Sequence, residues 1–140
     1  MGARSSGRQA ALQMLFSIDA HHCDVEAVIR SFWLEFDAEP EGREYADELV
    51  RGVYESLDRV DERIRQASTN WRIERMARVD RNLLRMAAHE LLNCTTVPRA
   101  VIIDEAVELA KLFGTEDSSS FVNGVLDRIA EDAGRVDVDR

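Results

Sequence analysis

The sequence of 140 residues contains only two cysteines, two prolines and seven glycines, so little in it crosslinks or interrupts the chain. Cys23 and Cys94 lie far apart without a CxxC motif, which fits two reduced thiols better than a disulfide framework. No apolar run approaches the roughly 18 residues that span a bilayer, and the N-terminus lacks the apolar core of a signal peptide. We therefore expect a soluble, cytoplasmic protein with no membrane partner.

Motifs for catalysis and metal binding are equally scarce. The sequence has no glycine-rich phosphate loop, no HExxH and no nucleophile elbow. Its one cluster of soft ligands is the His-His-Cys run at residues 21–23, whose adjacent side chains a helix would point about 100° apart. The carboxylates of Asp104 and Glu108 beside Lys111 are typical of a helix surface with an internal ion pair. We expect no enzyme activity, no metal and no other cofactor.

Apolar residues recur at intervals of three and four along most of the chain, which predicts helices and leaves no convincing strand. The expected helices lie at about 5–21, at about 25–36 after an Asp24 cap, at two stretches within 45–64 separated by an Asp58 cap, at 79–92, at 98–113 before Gly114, and from Thr115 or Asp117 to about 133. With 45% hydrophobic residues, the chain suits one core. The fold class is therefore all-α, a single-domain bundle of about seven helices at 1–133, followed by an acidic, flexible tail at 134–140.

The net charge of −9 argues against a nucleic-acid binder, because non-specific affinity for nucleic acids comes from neutralising phosphates. The charges are unevenly distributed, however. Residues 1–18 hold two arginines and no acid, and residues 71–86 hold five arginines against Glu74 and Asp80. An acidic chain can therefore carry a basic face. The alternative is that these arginines are solvated and pair with local acids.

The stretch SSSFVNGVLDRI at residues 118–129 contains a dipeptide that conflicts with its surroundings. Asn-Gly is a strong hairpin signal, yet the apolar residues around it recur with helical spacing. A glycine inside a helix costs about 1 kcal/mol relative to alanine, so something must offset the loss at Gly124. A residue without a side chain lets another helix or a ribose-phosphate approach the backbone closely.

Four segments resemble the family of the transcription antitermination protein NusB: RQAALQMLF at 8–16, YADELVRGV at 45–53, VDRNLLRMAAHELL at 79–92 and VPRAVIIDEAVELAKLFGTEDSSSFVNGVLDRI at 97–129. The last segment is the most specific. Members of that family are all-helical and bind a short single-stranded boxA sequence in nascent ribosomal RNA transcripts. They act with the small-subunit ribosomal protein that serves as Nus factor E, and the pair helps RNA polymerase to ignore terminators. The resemblance implies the same antitermination role here.

The resemblance also implies an RNA surface at the start of the seventh helix, supplemented by arginines from the first and fifth helices. Recognition of single-stranded RNA uses a stacking face, which Phe121 offers, and a donor and acceptor, which Asn123 offers. The alternatives are that Phe121 is core, that Gly124 is a helix–helix contact, that Asn123 caps a neighbouring helix, and that Arg85 pairs with a carboxylate of the sixth helix. The expected RNA-binding residues are Arg4, Arg8, Arg81, Arg85, Asp117, Ser118, Ser120, Phe121 and Asn123.

For the ribosomal partner, the resemblance implies contacts at Phe16 on the first helix and Asp80 at the start of the fifth. Phe16 lies off the apolar stripe of its helix, where a partner can cover it. Asp80 would offer a carboxylate to a partner arginine; the alternative is that it caps its helix. Family members often begin with a dense arginine-rich run, of which only Arg4 and Arg8 remain. Sparse arginines and the net charge leave a second function open, a helical protein–protein adaptor or homodimer with a weakened RNA surface.

Overall fold

The computed structural model describes residues 2–135 and contains, within that range, seven α-helices, one turn of 3-10 helix at Ile73–Arg75 and no strand. The helices are α1 (Ala3–His21), α2 (Val25–Glu35), α3 (Pro40–Glu55), α4 (Leu57–Ala67), α5 (Arg78–Asn93), α6 (Arg99–Phe113) and α7 (Ser118–Asp132). The prediction of an all-α bundle of about seven helices is confirmed. None of the described helices is long and apolar enough to cross a membrane.

The helix ends follow local chemistry at most of the expected positions. The carboxylate of Asp24 accepts a hydrogen bond from the backbone N–H of Ala27 at 3.0 Å, which confirms the predicted cap of α2. The predicted cap of α4 was wrong: Ser56 precedes that helix and Asp58 lies within its first turn. A carboxylate in a first turn still interacts favourably with the helix dipole. Gly114 follows α6 as expected, although its backbone is extended.

The centre of the bundle is α5, which packs against α1, α3, α4, α6 and α7. This helix is buried around most of its circumference, as expected of one surrounded by neighbours. Its fully or nearly fully buried apolar residues are Leu83, Leu84, Met86, Ala87, Ala88 and Leu91. By contrast, α2 buries only Ile29 and contacts only α1 and α3 appreciably. The core therefore lies around α5, with α2 at the periphery.

The predicted acidic tail starts at residue 134, and 136–140 lie outside the described residues. Gly134 follows α7 with a φ of 69°, the left-handed conformation that glycine adopts most readily. The guanidinium of Arg135 then donates to the carbonyl oxygens of Leu91, Cys94 and Val97. Its hydrogen bonds satisfy backbone acceptors at the end of α5 and in the following loop. The chain is thus held to the bundle through residue 135.

Candidate nucleic-acid interface

Arg8 is a core residue of this fold, with its side chain only 2% exposed. Two of its guanidinium nitrogens donate to the two carboxylate oxygens of Glu90, each at 2.8 Å. A third nitrogen donates to Glu105 at 3.1 Å, and the hydroxyl of Tyr45 donates to Glu90 at 2.6 Å. Burial disfavours the charged guanidinium, but the Glu90 hydrogen bond and charge raise the Arg8 pKa overall. Arg8 is therefore unavailable to a phosphate, and the expectation that it binds RNA is corrected.

Arg81 and Arg85 are also neutralised inside the bundle. Arg81 donates to Asp19 of α1 at 2.6 Å and to the carbonyl of Ile73 at 3.2 Å. Arg85 forms two hydrogen bonds with Asp61 of α4, at 2.9 and 3.0 Å. Both arginines thus join α5 to neighbouring helices and are withdrawn as RNA contacts. Arg85 does pair with a carboxylate, but from α4 and not from α6 as the alternative supposed.

The carboxylate of Asp19, in the last part of α1, pairs with these arginines and was not among the residues predicted from the sequence. Burial opposes its ionisation, yet hydrogen bonds from Arg81 and Asn82 hold its pKa below the usual value. Arg78 and Arg85 approach the same carboxylate at 3.8 and 3.7 Å. Its signal in the sequence was weak, because a single acid near a helix end does not reveal which helix it faces.

Arg4 differs from the other three predicted arginines, because its side chain is exposed. Its guanidinium carbon lies 5.6 Å from the ring centroid of Tyr45, a cation–π distance. Arg4 makes no ion pair with a residue in the described range 2–135. It remains available to a phosphate.

The serines at the start of α7 are occupied by local hydrogen bonds. Ser118 is buried, and its hydroxyl oxygen accepts from the backbone N–H of Thr115 at 2.9 Å. Ser120 is exposed and donates to the carbonyl of Asp117 at 3.3 Å. Asp117 is exposed and its side chain makes no capping hydrogen bond. Ser118 thus stabilises the helix start, whereas Ser120 and Asp117 face solvent.

Gly124 lies on an open face of α7. A Cβ atom added there would meet nothing within 4 Å in the described part of the chain, so none of the seven described helices requires a glycine at this position. Phe121, Gly124 and Arg128 stand at i, i+3 and i+7 and therefore share one side of the helix. The alternative that Gly124 is a helix–helix contact is wrong.

Asn123 is exposed and makes no hydrogen bond within residues 2–135, so it caps no neighbouring helix there. Two residues correspond to about 200° around a helix. Asn123 and Phe121 therefore lie at opposite edges of the exposed side of α7. The structure does not bring the two predicted RNA contacts onto one surface.

Phe121 instead contacts Trp71, which follows α4 and precedes the 3-10 turn. Their rings meet edge-on, with centroids 6.1 Å apart and planes at 77°. Phe121 is half-buried against the core, while Trp71 is 63% exposed. Beside it, Arg72 is 73% exposed and only approaches Glu74, at 3.7 Å. We name this set of residues, Trp71, Arg72, Phe121, Gly124 and Arg128, the α7 face.

Trp71 was not among the residues predicted from the sequence, although a usable signal was present. An aromatic residue followed by arginine, outside every apolar helical stripe, is the combination that holds single-stranded nucleic acids. Arg128 was also missed because its ion pair with Asp132, at 3.0 Å, gives it an ordinary surface role.

The two predicted partner residues are differently placed. Phe16 is 38% exposed on α1, and the guanidinium of Arg78 lies 5.9 Å from its ring centroid. Asp80 is 8% exposed, and its Oδ1 has no hydrogen-bond partner among the described residues. Ala77 is the N-cap residue of α5 and Asp80 lies in its first turn, so the alternative that Asp80 caps the helix is wrong. Phe16 is therefore accessible to a partner together with Arg78, whereas the Asp80 carboxylate is covered.

Metal binding finds no support in the described part of the chain. Across residues 2–135, no group of three or more His, Cys, Asp or Glu side chains is arranged to hold a metal ion. The His-His-Cys run at 21–23 marks the end of α1, where His22 adopts a left-handed backbone conformation with a φ of 52°.

Comparisons with known proteins agree along nearly the whole chain. The sequence model of the NusB family matches residues 5–131. A transcription antitermination protein NusB from Sorangium cellulosum is 66% identical over 140 residues, with 100% of both chains covered. The solved structure of T. maritima NusB has a TM-score of 0.84 and 38% identity, covering 91% of this chain and 90% of that one. A structure titled as the antitermination factors NusB and NusE in complex with dsRNA has a TM-score of 0.85 and 25% identity, covering 93% and 97%.

Proposed function

The chain belongs to the NusB family of transcription antitermination proteins, and from that premise we propose that it binds boxA-type single-stranded RNA in nascent ribosomal RNA transcripts together with Nus factor E. The solved structure titled as NusB and NusE in complex with dsRNA supports a protein partner and an RNA partner for this chain; the single-stranded boxA form is our proposal. The complex would act on RNA polymerase during transcription of ribosomal RNA.

The observation that carries the proposal is the open position at Gly124. Glycine in mid-helix costs about 1 kcal/mol relative to alanine, and no atom of residues 2–135 occupies the space of the missing side chain. An external ligand that approaches the helix backbone at this point would explain why glycine occupies position 124. Phe121 and Arg128 on the same side of α7 offer an aromatic edge and a cation, which single-stranded RNA uses.

The charge distribution supports dependence on a protein partner. Arg8, Arg81 and Arg85 form ion pairs inside the bundle. Arg4, Arg72 and Arg128 are exposed, and we assign the phosphate contacts to these three. Since single-stranded RNA contributes a salt slope of about 0.7 per phosphate contact, three contacts give a slope of about −2. Such a small number of contacts implies modest affinity for the isolated chain.

A separate surface on α1 suits a protein partner better than RNA. Residues 9–18 contain no charged side chain, and Gln13 and Phe16 are exposed there. With no cation between residues 9 and 18, this stretch offers little neutralisation of phosphates beyond the neighbouring Arg78, whereas an exposed aromatic is a common anchor of protein interfaces. We therefore assign Nus factor E to the α1 surface and RNA to the α7 face.

Binding of labelled boxA-like and scrambled RNA, measured by fluorescence anisotropy with and without Nus factor E, tests the proposal. Gly124→Gln should weaken boxA-like RNA binding at least tenfold, because the new side chain fills the open position. The same change should raise thermal stability, because glutamine favours helix by several tenths of a kcal/mol over glycine. Undiminished affinity in Gly124→Gln would remove the main support for an RNA surface.

Gly52→Gln on α3 is the control for a glycine whose position is closely packed, in contrast to the open position of Gly124. A Cβ there would overlap the imidazole of His89, so this change should destabilise the fold. If the wild-type chain binds neither RNA even with the partner present, the protein is an adaptor or a homodimer, and its mass at micromolar concentration distinguishes the two.

A further inference from the structure

Trp71 is an exposed aromatic residue that the fold itself leaves largely unused. Its backbone N–H donates to the carbonyl of Ser68 at 2.9 Å, which fixes it in the turn after α4. The indole N–H has no acceptor within the described residues 2–135. Apart from its edge-on contact with Phe121, the side chain is open to solvent, with 63% of its surface exposed.

The other tryptophan, Trp33, shows what an internally used indole looks like in this protein. Its Nε1 donates to the carboxylate of Asp47 at 2.8 Å. Phe32 packs against it edge-on at 4.8 Å, and the guanidinium of Arg43 lies 4.9 Å from its ring centroid. Trp33 thus joins α2 to α3, whereas the Trp71 indole forms no hydrogen bond to any helix that the structure describes.

We propose that Trp71 is the base-stacking residue of the α7 face: its exposed indole receives one unpaired base of single-stranded RNA, while Phe121 supports the indole from the side. This inference rests on the proposed RNA-binding function and names the residue that provides stacking. Phe121 is half-buried against the core and meets Trp71 edge-on. The larger accessible aromatic surface therefore belongs to Trp71.

The charges around Trp71 favour RNA as the occupant. Arg72 and Arg75 are both exposed, and Arg75 makes no ion pair among residues 2–135. Glu74, the carboxylate nearest to them in sequence, approaches Arg72 at 3.7 Å and Arg65 at 3.8 Å. Arg65 also approaches Glu62 at 3.9 Å, so three arginines face two acids and one positive charge is left in excess, in a chain of net charge −9. Aromatic stacking beside cations is how proteins hold single-stranded nucleic acids.

Fluorescence reports directly on the proposed stacking. In Trp33→Phe, Trp71 is the sole tryptophan. Titration with boxA-like RNA should quench its emission, and the quenching should saturate at the same RNA concentration as the anisotropy signal. In Trp71→Phe, Trp33 remains and its emission should stay unchanged while RNA binds. If RNA binds Trp33→Phe with no change in Trp71 emission, no base stacks on the indole and the inference is overturned.

Affinity measurements with Nus factor E present provide the second test. Trp71→Ala should weaken boxA-like RNA binding on the order of tenfold to a hundredfold, and Trp71→Phe should recover most of that loss. Leu34→Ala is the matched control, because Leu34 is an exposed apolar residue on distant α2. Thermal unfolding of Trp71→Ala should match that of the wild type, since the side chain is exposed.

Abasic substitutions in the RNA identify the stacked base. One abasic position should weaken wild-type binding at least tenfold and should not weaken the binding of Trp71→Ala further. The reason is that the effects of removing two groups in direct contact are not additive. If the losses multiply at every position, or if Trp71→Ala binds as tightly as the wild type, the inference fails while RNA binding stands. If the wild type binds no RNA, the proposed function fails and this inference with it.

Discussion

Two groups of arginines in this protein have opposite surroundings. Arg8, Arg81 and Arg85 lie between helices, where Glu90, Asp19 and Asp61 neutralise them. Arg72 and Arg128 lie on the α7 face, where their guanidinium groups are mostly exposed. We call the first the inner group and the second the outer group.

A segment that is basic in sequence therefore need not form a basic surface. An arginine with a buried carboxylate partner contributes its charge to holding helices together, because its partner would otherwise be an uncompensated charge in the core. An arginine with weak surface partners keeps its charge for an external phosphate, since exposed ion pairs contribute little. The comparison predicts loss of stability for changes in the inner group and loss of RNA affinity for changes in the outer group.

The largest expected effect is in the inner group, at Arg8. Arg8→Gln leaves Glu90 buried without its partner and should lower the free energy of unfolding by about 3–5 kcal/mol. Arg4→Gln, one turn earlier on α1, should change it by less than about 0.5 kcal/mol because Arg4 is exposed. Urea unfolding followed by circular dichroism measures both. Equal stability of the two variants would mean that Arg8 does not belong to the inner group.

A smaller effect is expected at Phe16, which is 38% exposed on α1 and lies beside Arg78, an arginine outside the inner group. Phe16→Asp should weaken the complex with Nus factor E by at least about 2 kcal/mol, because it replaces an aromatic anchor by a charge. Its helical circular dichroism spectrum should be retained, since Phe16 is not a core residue. Calorimetric titration measures the loss. An unfolded variant would show that the Phe16 side chain is part of the core.

The smallest effect concerns the outer group. Arg128→Gln should reduce the slope of log affinity against log salt by about 0.7, the contribution of one phosphate contact on single-stranded RNA. Its stability should change by only about 0.3–0.5 kcal/mol, the worth of its helical ion pair with Asp132. Anisotropy titrations over a salt series provide the slope. An unaltered slope would remove Arg128 from the RNA surface.

Much of the fold was predictable from the sequence because helix formation leaves a local record. The Asp24 cap and the apolar spacing of α5 depend on residues three or four apart, and both were predicted. Asp58 was a plausible cap whose position was wrong by two residues, as element boundaries depend on the backbone path. The 3-10 turn at Ile73–Arg75 was missed because so short an element has no periodicity.

The candidate site was less predictable, because it depends on which residues meet across the chain. Phe121 was identified from the sequence, but its neighbour Trp71 lies fifty residues earlier in a turn without an apolar pattern. Asn123 was grouped with Phe121 by proximity in sequence, although helical geometry separates their directions.

What the sequence determined by itself was the helical class, the approximate helix positions and membership of the NusB family, because local spacing and extended similarity require no three-dimensional contacts. Only the tertiary structure decided the use of each arginine. The Arg8–Glu90 pair joins residues 82 positions apart, and Arg85–Asp61 joins residues 24 apart. Helix packing determines which carboxylate each arginine contacts. Burial then makes the loss of either partner strongly destabilising. Tertiary packing therefore determines which positive charges stabilise the core and which remain for RNA.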